Sequence, residues 1–314
     1  MTAIREAFGK SLLELGKRNK DIVVLDADLA SSTKVTYFAE EFPDRFFQCG
    51  IAEQNMIGVA AGLASCGKVP FVTSFAVFVT KRPADQISIS VAYSGLNVKI
   101  IGAYTGLFNG GNGATHMAVE DMAIMRAIPG IVVIDPADAT ELSQTVEVVA
   151  EYYGPVYVRE TRDEWPDVFD SSYRFKIGRA TVVREGKDIT IISCGVMTSQ
   201  ALIAADKLEK EGISSRVVSM STVKPIDKQA IIKSAMETQA IVTCENHNIY
   251  GGLGSAVAEV LVEEAPVPML RIGIKDVLSE CATNNELLEK YEMSTAHIMK
   301  AVKKVLAKKE QHGV

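Results

Sequence analysis

The sequence predicts an α/β fold of two consecutive domains, each built on a mostly parallel sheet. Three observations predict it. Short runs that are apolar throughout recur along the chain, segments with three- and four-residue apolar spacing separate them, and one polar, aperiodic stretch divides the alternation in two. A strand apolar on both faces belongs inside a parallel sheet covered by helices on both sides. The first element is an amphipathic helix, with Ile4, Ala7, Phe8, Leu12 and Leu15 on one face and charges between them. Strand-like runs follow at 22–25, 69–72, 98–101, 131–134 and 155–158, with helical spacing over 55–65 and 140–151. The stretch 162–176, RDEWPDVFDSSYRFK, carries charge, a proline and serines without periodicity, and reads as a linker. The alternation then resumes with strands at 189–193, 216–220, 240–244 and 269–272 and helices near 198–211 and 255–263. The expected boundaries are a first domain over 1–165, a linker over 166–180 and a smaller second domain over 181–314.

Composition narrows the function. Of 314 residues, 47% are hydrophobic and 23% charged, enough apolar material for two cores without disulfide or metal staples. The net charge of −6 suits small-molecule substrates and argues against nucleic acid, whose binders carry a basic stripe. The one basic cluster, Lys303, Lys304, Lys308 and Lys309, reads as the solvated face of a last helix. Five scattered cysteines without C-x-x-C spacing read as reduced thiols of a cytoplasmic protein. No signal peptide or membrane-spanning run is expected.

Four segments carry residues suited to chemistry. In Gly50-Ile51-Ala52-Glu53-Gln54-Asn55 a glutamate opens a helix of small residues. A carboxylate there is explained by the helix dipole alone, unless close packing buries it and gives it a purpose. Thr73-Ser74-Phe75-Ala76-Val77-Phe78 sets two phenylalanines three apart, on one helical face, at the carboxyl end of a strand. Aromatics in that pattern are usually core, yet open α/β sheets bind ligands at that end. The glycine-rich loop 106–113 leads to His116, an acid–base candidate on a flexible loop, and fits neither common phosphate-binding pattern. Finally, Glu245-Asn246-His247 precedes Gly252-Leu253-Gly254, a partial dinucleotide-like match with Val257 where a third glycine belongs.

In this order, GIAEQNMIGVAAGLA, TSFAVF, GATHMAVED and ENHNIYGGLGSAV resemble the transketolase family over nearly the whole chain. The match is to its C-terminal half, a thiamine diphosphate pyrimidine-binding domain followed by the smaller transketolase C-terminal domain. The resemblance implies that Glu53 hydrogen-bonds the cofactor's aminopyrimidine and favours its imino tautomer, so that the exocyclic nitrogen removes the thiazolium proton. It implies that Phe75 and Phe78 line the pyrimidine pocket, and that Asp28 and Leu29 approach the cofactor at a subunit interface. His116 would contact the ketol substrate, while Ser32 and Arg159 would hold a sugar phosphate. Asn112 stands where many transketolases have an aspartate, and Tyr104 near an expected phosphate-contacting histidine.

The family's diphosphate and Mg²⁺ are held by a G-D-G segment with a later N-N pair. This chain has no G-D-G, and Asn284-Asn285 reads as a loop leading into a helix. No metal site is therefore expected here. The resemblance is to the C-terminal subunit of a split transketolase. Mg²⁺ and the diphosphate would lie on a separate N-terminal subunit, in a heterotetramer acting on sugar phosphates. Deoxyxylulose phosphate synthase, the beta subunit of 2-oxo acid dehydrogenases and a non-catalytic homologue are the competing readings. THMAVED favours transketolase.

Overall fold

The computed structural model describes residues 3–311. Twelve strands run in order: β1 (Ile22–Asp26), β2 (Phe46–Gln48), β3 (Val69–Phe75), β4 (Lys99–Ala103), β5 (Val132–Ile134), β6 (Val156–Glu160), β7 (Thr181–Arg184), β8 (Ile189–Ser193), β9 (Ser215–Ser219), β10 (Thr222–Lys224), β11 (Ile241–Asn248) and β12 (Met269–Ile274). They form a seven-stranded sheet, order β10-β5-β6-β4-β3-β1-β2, and a five-stranded sheet, order β12-β11-β8-β9-β7. Only β10 in the first and β7 in the second run antiparallel to their neighbours. The expected α/β architecture is what the chain adopts.

Side-chain alternation explains why the apolar runs are continuous. On β1, Ile22 and Val24 join Phe8, Leu12 and Leu142 on one face, while Val23 and Leu25 join Met56 and Ile57 on the other. Both cores continue into the second sheet, through Ile191 and Val242 on one side and Ile192 and Val218 on the other. The predicted helices appear as Ile4–Arg18, Glu53–Ser65, Ala139–Glu151, Met197–Glu209 and Leu253–Glu264. Asn284 and Asn285, expected in a loop, are the first residues of the helix Asn284–Lys290, capped by a reciprocal Thr283–Glu286 box.

Two features depart from the simple two-unit picture. First, β10 comes from the second half of the chain yet pairs with β5, closing one edge of the first sheet. Second, the stretch between β6 and β7 has no helix or strand but is pinned down. The Asp138 carboxylate accepts from the Val168 and Phe169 amides at 2.7 Å each, and Phe169 stacks on Tyr173 at 3.7 Å. Glu141, buried on the helix Ala139–Glu151, accepts from Ser221, from Tyr173 at 2.6 Å and from the Ala137 amide.

Burial pushes the Glu141 carboxyl up to about 7, against the opposing pull of Tyr173, the Ala137 amide and Ser221. A raised carboxyl stabilises the fold fully below its unfolded value of 4.5 and loses that contribution as pH rises to about 7. Glu141→Gln should remove that loss. Comparing the urea midpoints of the two proteins, the variant should gain relative to the parent between pH 5 and 8 by up to about 3 kcal/mol. A pH-independent difference would contradict it.

Candidate functional site

The helix Glu53–Ser65 starts after Gly50, whose φ of +69° suits the turn out of β2. Its buried face carries Glu53, Met56, Ile57, Ala60 and Ala61, so Glu53 is only 3% exposed. The small residues were expected to pack closely on neighbours; Ala60 and Ala61 do. Gly58 and Gly62 instead face outwards, and a Cβ on either would meet nothing within 4 Å.

Glu53 has one charged partner. Arg82 donates from Nη1 to Glu53 Oε1 at 2.7 Å, and its guanidinium lies 4.1 Å from the Phe78 ring centroid. A flat cationic group is thus hydrogen-bonded to a buried carboxylate and stacked on an aromatic face. Ile51, Ala52, Gln54 and Asn55 complete an open depression of about 560 Å³ around the pair.

Phe75 is the last residue of β3, and Phe78 lies in the short helix Ala76–Lys81, so they do not share one helix as expected. Their rings still stack, with centroids 6.0 Å apart. His116 approaches both edge-on at 5.9 and 5.4 Å, and its Nδ1 lies 2.8 Å from Thr115 Oγ1. Tyr104, which takes a φ of +61°, stacks on Phe75 at 4.3 Å. Leu29 packs against this aromatic cluster, and the Tyr104 hydroxyl reaches the Ser32 carbonyl at 3.5 Å. Asp28 is exposed at a φ of +62°, with its amide on Gln48. Asn112, exposed on the glycine-rich loop, bonds Asn109. Glu53, Phe75, Phe78, His116 and Leu29 therefore converge, with Ser32 beside them through Tyr104.

Arg159, expected to hold a sugar phosphate, does not join them. It lies inside β6, 2% exposed, bidentate on Asp121 at 2.8 and 3.2 Å and bonded to Asp135 at 2.8 Å. Its Nη2 also donates to the Asn246 carbonyl at 3.0 Å. Burial works against both carboxylates; Arg159 nonetheless holds Asp121 below its ordinary range, while burial keeps Asp135 above it. Four of its five N–H groups are thus engaged within the protein.

The arginine that reaches the site is Arg162, two residues past the end of β6, at 5.3 Å from the Tyr104 ring. It lines an open depression of about 620 Å³ with Gly111, Asp163, Cys281 and Asn284. The signal for it was present in the sequence: a residue beyond a strand's carboxyl end faces the ligand side, whereas one within an apolar strand does not. Arg82 was missed altogether, because nothing in spacing links it to Glu53.

The ENHN segment supports the site from behind. Asn246 accepts from the Leu107 amide at 2.9 Å and donates to the Thr105 carbonyl, and a Cβ on Gly106 would strike its side chain at 2.2 Å. His247 Nε2 accepts from the Ala123 amide while Nδ1 donates to the Asn248 carbonyl. Glu245 accepts from the Leu253 and Gly254 amides at 2.7 and 2.8 Å. A Cβ on Gly252 would lie 2.0 Å from that carboxylate, so the glycines serve a built-in helix cap and not a dinucleotide. Among the described residues no group of three or more His, Cys, Asp or Glu side chains could hold a metal ion, and no helix is long and apolar enough to cross a membrane.

Comparison with known proteins agrees with this layout. The transketolase pyrimidine-binding domain matches residues 1–167 and the transketolase C-terminal domain residues 178–298. The chain belongs to the transketolase family. It is 42% identical to the 6-deoxy-6-sulfo-D-fructose transketolase subunit SqwH of Clostridium sp., covering 98% of this chain and 95% of that one. It is 44% identical to a putative transketolase C-terminal section of Methanocaldococcus jannaschii, covering 97% and 96%. A solved split gene transketolase, described as an inactive beta4 tetramer, superposes with a TM-score of 0.92 at 50% identity, covering 98% of this chain and all of that one. These relatives are separate transketolase subunits or sections, and the chain spans nearly their whole length.

Replacing Arg159 separates the two roles considered for it. Arg159→Met would leave Asp121 and Asp135 buried without their partner, costing about 3–5 kcal/mol in urea unfolding. A substrate-binding role would instead leave the unfolding midpoint in place and raise KM alone.

Proposed function

We propose that this chain is the C-terminal subunit of a thiamine diphosphate-dependent transketolase that moves a two-carbon ketol unit between sugar phosphates. In this reading a separate N-terminal subunit carries Mg²⁺ and the diphosphate, and the assembly is a heterotetramer. The observation that carries it is the Glu53–Arg82–Phe78 arrangement. A planar nitrogen-bearing group sits on the Glu53 carboxylate and against an aromatic face, the two contacts an aminopyrimidine ring needs. Arg82 has to swing away for the ring to enter, which its 44% side-chain exposure permits.

When bound, the cofactor supplies the nucleophilic carbon that accepts the two-carbon unit. This chain's residues do the rest. Glu53 would hydrogen-bond the ring nitrogen. Phe75 and Phe78 would line the ring, and Leu29 and Asp28 would approach it from the same turn. His116 has Nδ1 engaged by Thr115, which leaves Nε2 for a substrate hydroxyl. Ser32 and Asn112 remain substrate-side candidates, and we assign the distal anion to Arg162 in place of Arg159. That anion need not be phosphate, since the relative SqwH is named for a sulfo sugar.

The outward face of the helix Glu53–Ser65 suits an assembling chain. Gly58 and Gly62 allow close backbone approach, and Ile51, Val59, Ile89 and Tyr93 are exposed around it. The solved neighbour's tetramer is consistent with such a face.

Reconstitution with the N-terminal subunit, thiamine diphosphate and Mg²⁺ tests the reading. Glu53→Ala should abolish ketol transfer from a ketose phosphate while the assembly still elutes intact; retained transfer, or turnover of pyruvate in place of the ketose phosphate, refutes it. Arg162→Gln should raise KM for a phosphorylated donor by about tenfold or more through loss of a charge-assisted contact, with kcat largely kept. An unchanged KM would return the distal anion to another residue.

A further inference from the structure

The second sheet ends at β12, an edge strand, and the helix Thr295–Gln311 packs beside it. Between them lies a groove of about 330 Å³, at the lower end of the range used for small ligands. Its floor is Leu270, Ile272 and Ala301, and its walls carry Arg271, Lys275, His297, Lys300 and Lys304. Glu292 is the one acidic side chain lining it. In a protein of net charge −6, this is a local reversal of sign.

The helix's basic residues divide into two groups. Lys303 pairs with Glu211, and Lys309 donates to the Thr238 carbonyl at 2.9 Å, so both have local structural work. Lys300 and Lys304, one turn apart on the groove side, have no ion-pair partner among the described residues. Lys275 pairs with Glu292, and the His297 ring lies 3.8 Å from Glu289 and 2.8 Å from Ser294. Among the described residues Arg271 has no carboxylate within ion-pair distance either. Its Nη1 is fixed on the Ile249 carbonyl at 2.7 Å, and its guanidinium stands 5.9 Å from the exposed Tyr250 ring. Ala301, small and at the middle of this face, leaves the space that a longer side chain would fill.

Like charges facing one cavity repel one another, and an anion relieves that repulsion. We propose that this groove is a binding site, separate from the Glu53 site, for a small organic anion bearing a phosphate. Lys300 and Lys304 hold the phosphate and Arg271 stands at the far wall. Leu270, Ile272 and Ala301 pack against a short carbon body. The site lies wholly within the C-terminal domain, so it needs neither the cofactor nor a partner subunit.

Calorimetric titration of the full chain with glycerol 3-phosphate and with inorganic phosphate, at fixed ionic strength, tests it. Saturable binding of the ester, weakened by about tenfold or more in Lys300→Gln/Lys304→Gln through two lost charge-assisted contacts, is the expected result. Arg184→Gln, on β7 at the opposite edge of the same sheet, should bind as the parent does. Equal affinity for the ester and inorganic phosphate would assign the site to the phosphate alone and overturn the packed carbon body. Binding lost in Arg162→Gln but kept in the lysine variant, or no saturable binding by the parent, overturns the site. Matching circular dichroism of the variants keeps the comparison valid, since both lysines are exposed.

Discussion

The structure depends on one buried guanidinium. Arg159 gathers Asp121 from the start of a helix, Asp135 from the end of β5 and the Asn246 carbonyl from the second sheet. Tyr157 adds its hydroxyl to Asp121 at 2.6 Å. Burying these charges is costly, so the cluster is no simple source of stability. Its effect is geometric. The planar fork holds two carboxylates and a carbonyl at fixed directions, and that arrangement sets where β11 meets the first sheet. Asn246 is thereby placed to clamp the glycine-rich loop, and the loop to carry His116 to Phe75 and Phe78.

The site built on that frame is half enclosed. Glu53 is buried from behind by its own helix, while its front is covered by an arginine that is itself nearly half exposed. The outward glycines of the same helix have no intramolecular packing role. Both features leave surface uncovered by the chain itself, as the ring and the partner chain proposed above require.

Much of this was legible because it is local. Fully apolar strands, amphipathic helices and small-residue segments declare themselves within a few residues, and nine strand-like runs fall on observed strands. The strands β2, β7 and β10 were not foreseen. Each is three or four residues long and lies at a sheet edge or beside one, so none has the continuous apolar run of a central strand. The antiparallel pairing of β10 with β5 joins residues almost ninety positions apart and leaves no periodic trace. Arg159 and Arg162 illustrate the same limit. Two residues separate them, and only the end of β6 decides that one is locked inside and the other lines an open depression.

The sequence by itself determined the fold class and the order of the segments, and it offered candidates for the chemistry, because these follow from short-range patterning and from ordered motif matches. Tertiary structure alone decided which arginine meets solvent, that Arg82 covers Glu53, that Gly252 and Gly254 serve a carboxylate cap, and that Lys303, Lys304 and Lys309 do not act as one group. Each of these depends on contacts between residues distant in the chain, and such contacts are set by the packing of the two sheets.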